Sequence, residues 1–315
     1  MAKKRDWKKY EQELRERKGK IAEFLLSIPT KEQLLKELEK LNKRKRGRRF
    51  EIPKSILLFF HFLKHIFRID DRLLVEYLSR LLNKIIPRED FFVHSTIVKR
   101  RKDLDLKIPL GITPEKLNGK RIYFDGMCLR VGRGGYYRSK RYHTEVRYLK
   151  IGVFTNEKGK VCDFTIGDEH DAEINMIREK MSAIRNSKPE AVVIDGAGSA
   201  KDIIVSLTLS GIKPVISASE TVIRKARSIP PPHLCARHKR QDTLIWEDYA
   251  RQQIDHDKWK KETGHTMRWV FSEGVFSSFK RMFGEEAVCR TQKGLHDEVC
   301  VKFLMMDGVL PSLWG

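Results

Sequence analysis

Two aspartates and a glutamate stand where ordinary structural rules would not put them. Asp125 lies inside Ile122-Tyr123-Phe124-Asp125-Gly126-Met127-Cys128-Leu129, an apolar run in which a carboxylate opposes both strand propensity and burial. Its charge needs compensation, either from a neighbouring arginine and backbone amides or from a ligand. Asp195 directly follows Val192-Val193-Ile194, at the C-terminal end of a short buried strand where α/β sheets gather their ligands; a turn aspartate has the same setting. Glu273 belongs to a helical segment from Arg268 to Arg281 in which Phe276, Phe279 and Phe283 form an apolar stripe, and Lys280 falls two turns further along the same face. Taken singly, a glutamate on a helix is usually a surface residue. Three carboxylates brought to one point would instead hold two Mg²⁺ or Mn²⁺ ions about 4 Å apart, which stabilises the attacking and leaving oxygens of phosphoryl transfer. Lys280, Arg268 and Arg281 would then grip a nucleic-acid backbone by charge-assisted contacts.

The composition agrees with a polyanionic partner. The 315 residues carry 64 Lys plus Arg against 42 Asp plus Glu, a formal charge of +22, which points to nucleic acid ahead of a membrane surface. The length is enough to bury a full core, so a small disulfide-stapled scaffold is excluded. Five cysteines (Cys128, Cys162, Cys235, Cys289, Cys300) are scattered without a C-x-x-C pair and read as reduced thiols. No charged-then-apolar leader opens the chain, and its longest apolar stretch is broken by Lys54, His61, Lys64 and His65. The expectation is a cytoplasmic, nucleoid-associated protein.

The elements that must position the three carboxylates can be read from periodicity. Arg121 to Val131, Tyr148 to Thr155 and Val161 to Ile166 alternate like strands, with Asn156-Glu157-Lys158-Gly159 as a hairpin turn. Asp171 to Arg185 reads as a helix, Ala191 to Ile194 as an apolar strand, Ala200 to Ser210 as a helix opened by a Ser199/Asp202 capping box, and Lys213 to Ser217 as a strand. Three antiparallel strands followed by alternating helices and strands give an α/β domain with a mixed sheet flanked by helices, the order of the RNase H-like fold.

Ahead of it, Lys54 to Phe67, Arg72 to Ile86 and Ser95 to Leu106 read as three short helices, an all-α, helix-turn-helix-like region. Lys99, Arg100 and Arg101 make the third one basic, as in a recognition helix or in the exposed face of an ordinary one. The run Lys43-Arg44-Lys45-Arg46-Gly47-Arg48-Arg49 suits a solvated linker and a phosphate-binding stretch equally, with Arg46 and Arg48 as its DNA contacts in the second case. These readings divide the chain into a charged helical arm and basic linker (1–50), a helical DNA-binding region (51–112), an RNase H-like catalytic domain (118–290) with a basic, weakly periodic insertion near 219–265, and a C-terminal tail (291–315).

With these residues in place the sequence resembles the DDE transposases of prokaryotic insertion sequences. The resemblance is carried by Tyr123-Phe124-Asp125-Gly126, Thr165 to Asp171, Val193 to Ser199, and Ser272-Glu273 through Phe279-Lys280-Arg281-Met282-Phe283-Gly284-Glu285. It implies that Asp125, Asp195 and Glu273 ligate two Mg²⁺ or Mn²⁺ ions, and that Lys280, with six residues between it and Glu273, matches the family's lysine. Trp269 stands in the slot of the family's arginine, and Arg268 is displaced from it by one. The resemblance further implies hydrolysis of a phosphodiester at an element's end, attack of the freed 3′-OH on target DNA, terminal inverted repeats and target duplex as partners, and a homodimer pairing two ends.

Other clusters have plainer readings. Asp168, Glu169, His170 and Asp171 suit a helix start. His233, Cys235 and His238 lack a fourth ligand at zinc spacing. Gly132-Arg133-Gly134-Gly135 does not lie between a strand and a helix, as a phosphate loop would. The rival functions are a repurposed, non-catalytic DNA-binding protein, a nuclease of the same core without strand transfer, and an RNA-processing enzyme.

Overall fold

Residues Arg121–Val131 form the eleven-residue strand β1 at the centre of a mixed sheet. In the computed structural model the described residues are 30–47, 49–67, 69–85, 99–100, 110–117, 120–131, 147–196, 199–218, 248–249, 252, 254–289 and 291–307, with isolated positions before residue 30. Along one edge of β1, β2 (Arg147–Asn156) runs antiparallel from Ile122↔Asn156 to Val131↔Arg147, and β3 (Val161–Asp168) pairs antiparallel with β2. Along the other edge β4 (Ala191–Ile194) runs parallel to Arg121, Ile122 and Tyr123 alone, followed outward by β5 (Lys213–Ile216). The two-residue strand β6 (Glu286–Ala287) meets the far end of β1 at Arg130 and Val131. The order β3-β2-β1-β4-β5 is that of a six-stranded mixed sheet flanked by helices, consistent with an RNase H-like fold.

Alternation along the strands separates two layers. Ile122, Phe124, Phe154, Val192, Ile194 and Ile216 face the helices α5 (Glu173–Ser187) and α6 (Lys201–Leu209), which bury Met176, Ile177, Ile184, Ile203 and Leu207 against them. Tyr123, Ala191, Val193 and Val215 face the other way, onto Trp259 and Phe271. Those two side chains come from α7 (His256–Thr263) and from a π-helical turn (Trp269–Glu273), joined by a 3₁₀ turn (His265–Met267) and continued by α8 (Gly274–Phe283). A short helix, α4 (Pro114–Leu117), precedes β1. At the β2–β3 hairpin the Asn156 side chain accepts from Lys158 N and Lys160 N, while Gly159 takes a φ of 67°, so the expected turn forms with its local hydrogen bonds.

One expectation gives way here. Ser199 and Asp202 form no capping box, because Ala200 is the N-cap of α6. Asp202 is instead held by Arg178 at 2.8 Å, and the Ser199 hydroxyl lies 3.1 Å from that of Tyr249. Of the weakly periodic insertion, residues 219–247 lie outside the described residues, and His256–Thr263 is the helix α7. Its stripe is hard to see in sequence because Trp259 alone is buried among charged neighbours.

Chain contacts separate this unit, Pro109–Ala287, from a second made of Met1–Ile108 and Val288–Gly315. The second unit is helical in its described elements. In α1 (Lys31–Asn42) only Leu34 is buried, and Thr30 closes the N-terminus in a capping box with Gln33. In α2 (Lys54–Phe67) Ile56, Leu57, Phe59, Phe60, Phe62 and Leu63 are buried; α3 (Asp71–Ile85) follows, with Lys64 donating to Asp71 at 2.5 Å. Glu37 of α1 accepts from Ser55 N at 3.0 Å. Apart from Lys99 and Arg100, the expected third helix lies outside the described residues.

Gln292–Asp307, assigned from sequence to a tail, is a sixteen-residue helix, α9, that packs on α2. Charges disguised it. Glu298 and Lys302 are buried together, 2.6 Å apart with 1% exposure each, and neutralise one another one helical turn apart. No helix among the described residues is long and apolar enough to cross a membrane.

Gly264 ends α7 with a φ of 73°, and a Cβ there would run into Arg121 Nη1, which donates to Thr263 O at 2.9 Å. Gly264→Ala is therefore expected to destabilise the sheet unit by roughly 1–2 kcal/mol, the cost of a left-handed non-glycine residue. A lowered urea midpoint with an unchanged slope is the expected reading; an unchanged midpoint contradicts it.

Candidate active site

The register of β1 and β4 decides where the two aspartates stand. Arg121 pairs with Ala191, Ile122 with Val192 and Tyr123 with Val193; extended by two residues, the same register sets Asp125 level with Asp195. Side chains two residues apart share a face, so both carboxylates follow Tyr123 and Val193 onto the face covered by α7 and the π-helical turn. Because β4 ends at Ile194 and β6 begins only opposite Arg130, the edge of β1 beside Asp125 has no strand partner among the described residues. The carboxylates occupy that gap. The next backbone amide steadies each one, Gly126 N donating to Asp125 Oδ1 at 2.9 Å and Gly196 N to Asp195 Oδ1 at 2.7 Å.

The third carboxylate arrives with a cation. In an α-helix, residues five apart point roughly 140° away from one another, so Arg268 and Glu273 would diverge. The turn between them is π-helical, with Gly274 N donating to Trp269 O; i→i+5 bonding stacks residues five apart and sets both side chains toward the sheet gap. Arg268 Nη1 donates to Asp125 Oδ2 at 2.6 Å, while its Nη2 lies 3.4 Å from Asp195 Oδ2 and 3.7 Å from Glu273 Oε1. The Arg268 side chain is 8% exposed and Asp125 13%, whereas Asp195 and Glu273 remain 48% and 37% exposed. One guanidinium thus stands among the three carboxylates singled out in the sequence. Arg268, expected from the sequence to contact a nucleic-acid backbone, makes these three ion pairs within the chain.

His265 supports the arrangement from behind. It is buried, tilted against Trp259 with ring centroids 5.3 Å apart, and its Nε2 lies 3.1 Å from Ile194 O. A carbonyl can only accept, so Nε2 carries the proton. Burial pushes the imidazole below its ordinary pKa, more strongly than the bond to Ile194 raises it, and the ring is neutral at pH 7. Reading the sequence did not single out His265; its one signal is its position three residues before Arg268.

Burial dominates Asp125 as well. Its pKa is pushed up to about 6, chiefly by desolvation, with Asp195 and Glu173 adding to the rise against the opposing pull of Arg268 and Gly126 N. Glu173 approaches from the α5 side, where a Cβ on Gly126 would come within 2.6 Å of its Oε1, and it lies 3.7 Å from Lys150 Nζ. Three carboxylates around one guanidinium leave an excess of negative charge, and all donors offered are hard oxygens. That set fits Mg²⁺ or Mn²⁺ better than a soft metal.

The remaining predicted residues are dispersed. Lys280 lies 3.4 Å from Glu285, and Arg281 Nε donates to Ser277 O, both on the last turn of α8. Lys99 and Arg46 are exposed. Arg100 is engaged in its own unit: it donates to Ile52 O at 2.7 Å and lies over the Phe50 ring, whose centroid is also 3.8 Å from Lys45 Nζ. Arg48, Arg101, the Gly132–Gly135 segment, His233, Cys235 and His238 lie outside the described residues. The second acidic cluster ties the turn into α5: Asp171 Oδ2 accepts from Asp168 N, Asp168 Oδ1 from His170 N and Glu169 Oε2 from Tyr148 N.

No protein-family profile matches the chain, and no curated protein matches it. One solved structure that does match is the crystal structure of a pre-cleavage Mos1 transpososome, with 9% sequence identity over 74% of this chain and 82% of that chain and a TM-score of 0.24. A likeness that slight transfers neither fold nor activity, so what this chain does must follow from its own residues.

The displaced pKa of Asp125 makes stability depend on pH. Its folded value of about 6 lies above the ordinary 3.8, so folding favours the protonated form; that stabilisation is full below the ordinary value and is lost as pH rises through about 6. In chelator, the melting temperature of the wild type relative to Asp125→Asn is expected to fall between roughly pH 4 and pH 7. A difference that stays constant over the window contradicts the assignment.

Proposed function

We propose that this chain is a DDE-type transposase, cutting DNA at the ends of a mobile element and joining the freed 3′ ends to target DNA. The observation that carries the reading is the convergence of Asp125, Asp195 and Glu273, from a strand centre, a strand end and a π-helical turn, on one cation within 4 Å of each. Carboxylates so placed would hold two Mg²⁺ or Mn²⁺ ions. Such ions supply Lewis-acid stabilisation of the charge that builds on the attacking and leaving oxygens of a phosphodiester.

The protein's own groups divide the remaining work. Gly126 N and Gly196 N fix one oxygen of each aspartate, leaving Oδ2 of both directed at the shared centre. Neutral His265, bonded to Ile194 O, braces the end of β4 against α7 and keeps Asp195 in register with Asp125. The more exposed Asp195 and Glu273 face the side from which a DNA strand would enter. Lys258, Lys260 and Lys261 on α7 and Lys280 and Arg281 on α8, the two helices that flank the turn carrying Arg268 and Glu273 in the chain, would bind the DNA backbone without reading its sequence. The overall charge of +22 favours such contacts through counterion release. Recognition of terminal repeats would fall to the helical N-terminal region, and a homodimer would pair two ends.

The test is an assay on DNA carrying the flanking terminal repeats, with Mg²⁺ or Mn²⁺ and a target plasmid. Asp195→Asn and Glu273→Gln are each expected to lower cleavage and joining by about 10³-fold or more, the several kcal/mol that ligated cations contribute, while gel-shift affinity persists. Cleavage without joined product would identify a nuclease of the same core. Equal DNA binding by wild type and variants with no cleavage by any of them would leave a DNA-binding protein.

A further inference from the structure

We infer that Arg268 is a built-in counter-cation, holding Asp125, Asp195 and Glu273 together in the metal-free chain and giving up its place when a divalent cation enters. The inference rests on reading the three carboxylates as a metal site. Its own support is the placement of the guanidinium: 8% exposed, bonded to Asp125 at 2.6 Å, and within 4 Å of the other two carboxylates. Without a cation among them, three carboxylates that each reach the same guanidinium would repel one another in a partly desolvated gap.

The geometry also says how exchange would run. The short contact is to the deep Asp125, and the long contacts, both through Nη2, are to the half-exposed Asp195 and Glu273. A cation arriving from solvent meets those two first, where Arg268 holds most loosely. The guanidinium is not locked on its other side, since Arg268 Nε has no hydrogen-bond partner among the described residues. Arg268 contacts Asp125 Oδ2, Asp195 Oδ2 and Glu273 Oε1, so an ion ligated through those oxygens competes with the present position of the guanidinium. Once displaced, the planar fork of donors becomes available to a phosphate. Metal loading and the freeing of an arginine for DNA would then be one event.

The experiment is calorimetric titration of Mn²⁺ into the full-length chain, its Arg268→Gln form and its Asp195→Asn form, each checked for folding by circular dichroism. Removing a competitor held by a charge-assisted bond is expected to tighten Mn²⁺ binding on the order of tenfold in Arg268→Gln, while Asp195→Asn binds weakly or not at all. Binding to Arg268→Gln that equals or falls below wild type overturns the exchange and leaves the metal site standing. Absence of Mn²⁺ binding by wild type and Arg268→Gln alike defeats both readings. If Arg268→Gln does not fold, the side-chain Nε–H resonance of Arg268 in the wild type, assigned by its absence from Arg268→Lys, decides the matter. It is expected to shift as Mg²⁺ saturates the protein, and a resonance that stays in place at saturation overturns the proposal.

Discussion

A buried guanidinium shared by three carboxylates ties together the strands and the helical turn of the sheet unit. Removing such charges from water is costly, and the cost is offset only where partners arrive at hydrogen-bonding distance in the right directions. Asp125 has such partners in Arg268 at 2.6 Å and Gly126 N at 2.9 Å, which offset part of that cost, and the remainder shows in a pKa pushed up to about 6. The partners come from segments far apart in the chain, so β1, the end of β4 and the turn before α8 must all be held in place for the charges to balance.

The sheet supplies this by leaving a place open. Had β4 continued alongside β1 beyond Tyr123, backbone ladder bonds would have filled the edge next to Asp125. Instead β4 stops at Ile194, and the chain returns to that edge only at Arg130, where Arg130 N donates to Glu285 O and the Arg130 side chain pairs with Glu286. The gap between the two pairings is where the charges collect. On the opposite face, Phe124 and Phe154 pack 4.8 Å apart and join Ile122, Val192 and Ile194 under α5 and α6. That apolar layer fixes the height of the strands, and the alternation of side chains then sends Asp125 and Asp195 to the other face together.

Much of this was legible in the residues. Strand β1 runs from Arg121 to Val131 as its alternation indicates, β4 occupies the apolar run Ala191–Ile194, and Asp125 and Asp195 stood out because each interrupts or ends such a run. Three kinds of feature were not legible. In α7 a single buried Trp259 among Lys and Glu residues gives almost no periodic signal. Helix α9 hides its burial behind a Glu298–Lys302 pair that looks solvent-facing until the partners are seen together. The role of His265 depends on a bond to Ile194 O, seventy-one residues away in sequence, which no local pattern encodes.

The spacing of Arg268, Trp269 and Glu273 is resolved by the kind of helix that carries them. On a continuous α-helix Trp269, four residues before Glu273, would share its face, and Arg268, five before it, would not. A π-helical turn amounts to one residue added to an α-helix, and here it lies between the two positions, over Trp269–Glu273. The extra residue leaves Trp269 outside, 63% exposed, and rotates Arg268 inward to 8% exposure beside Asp125. The direction in which each of these side chains points is therefore set by the local width of the helix as much as by its interval in sequence.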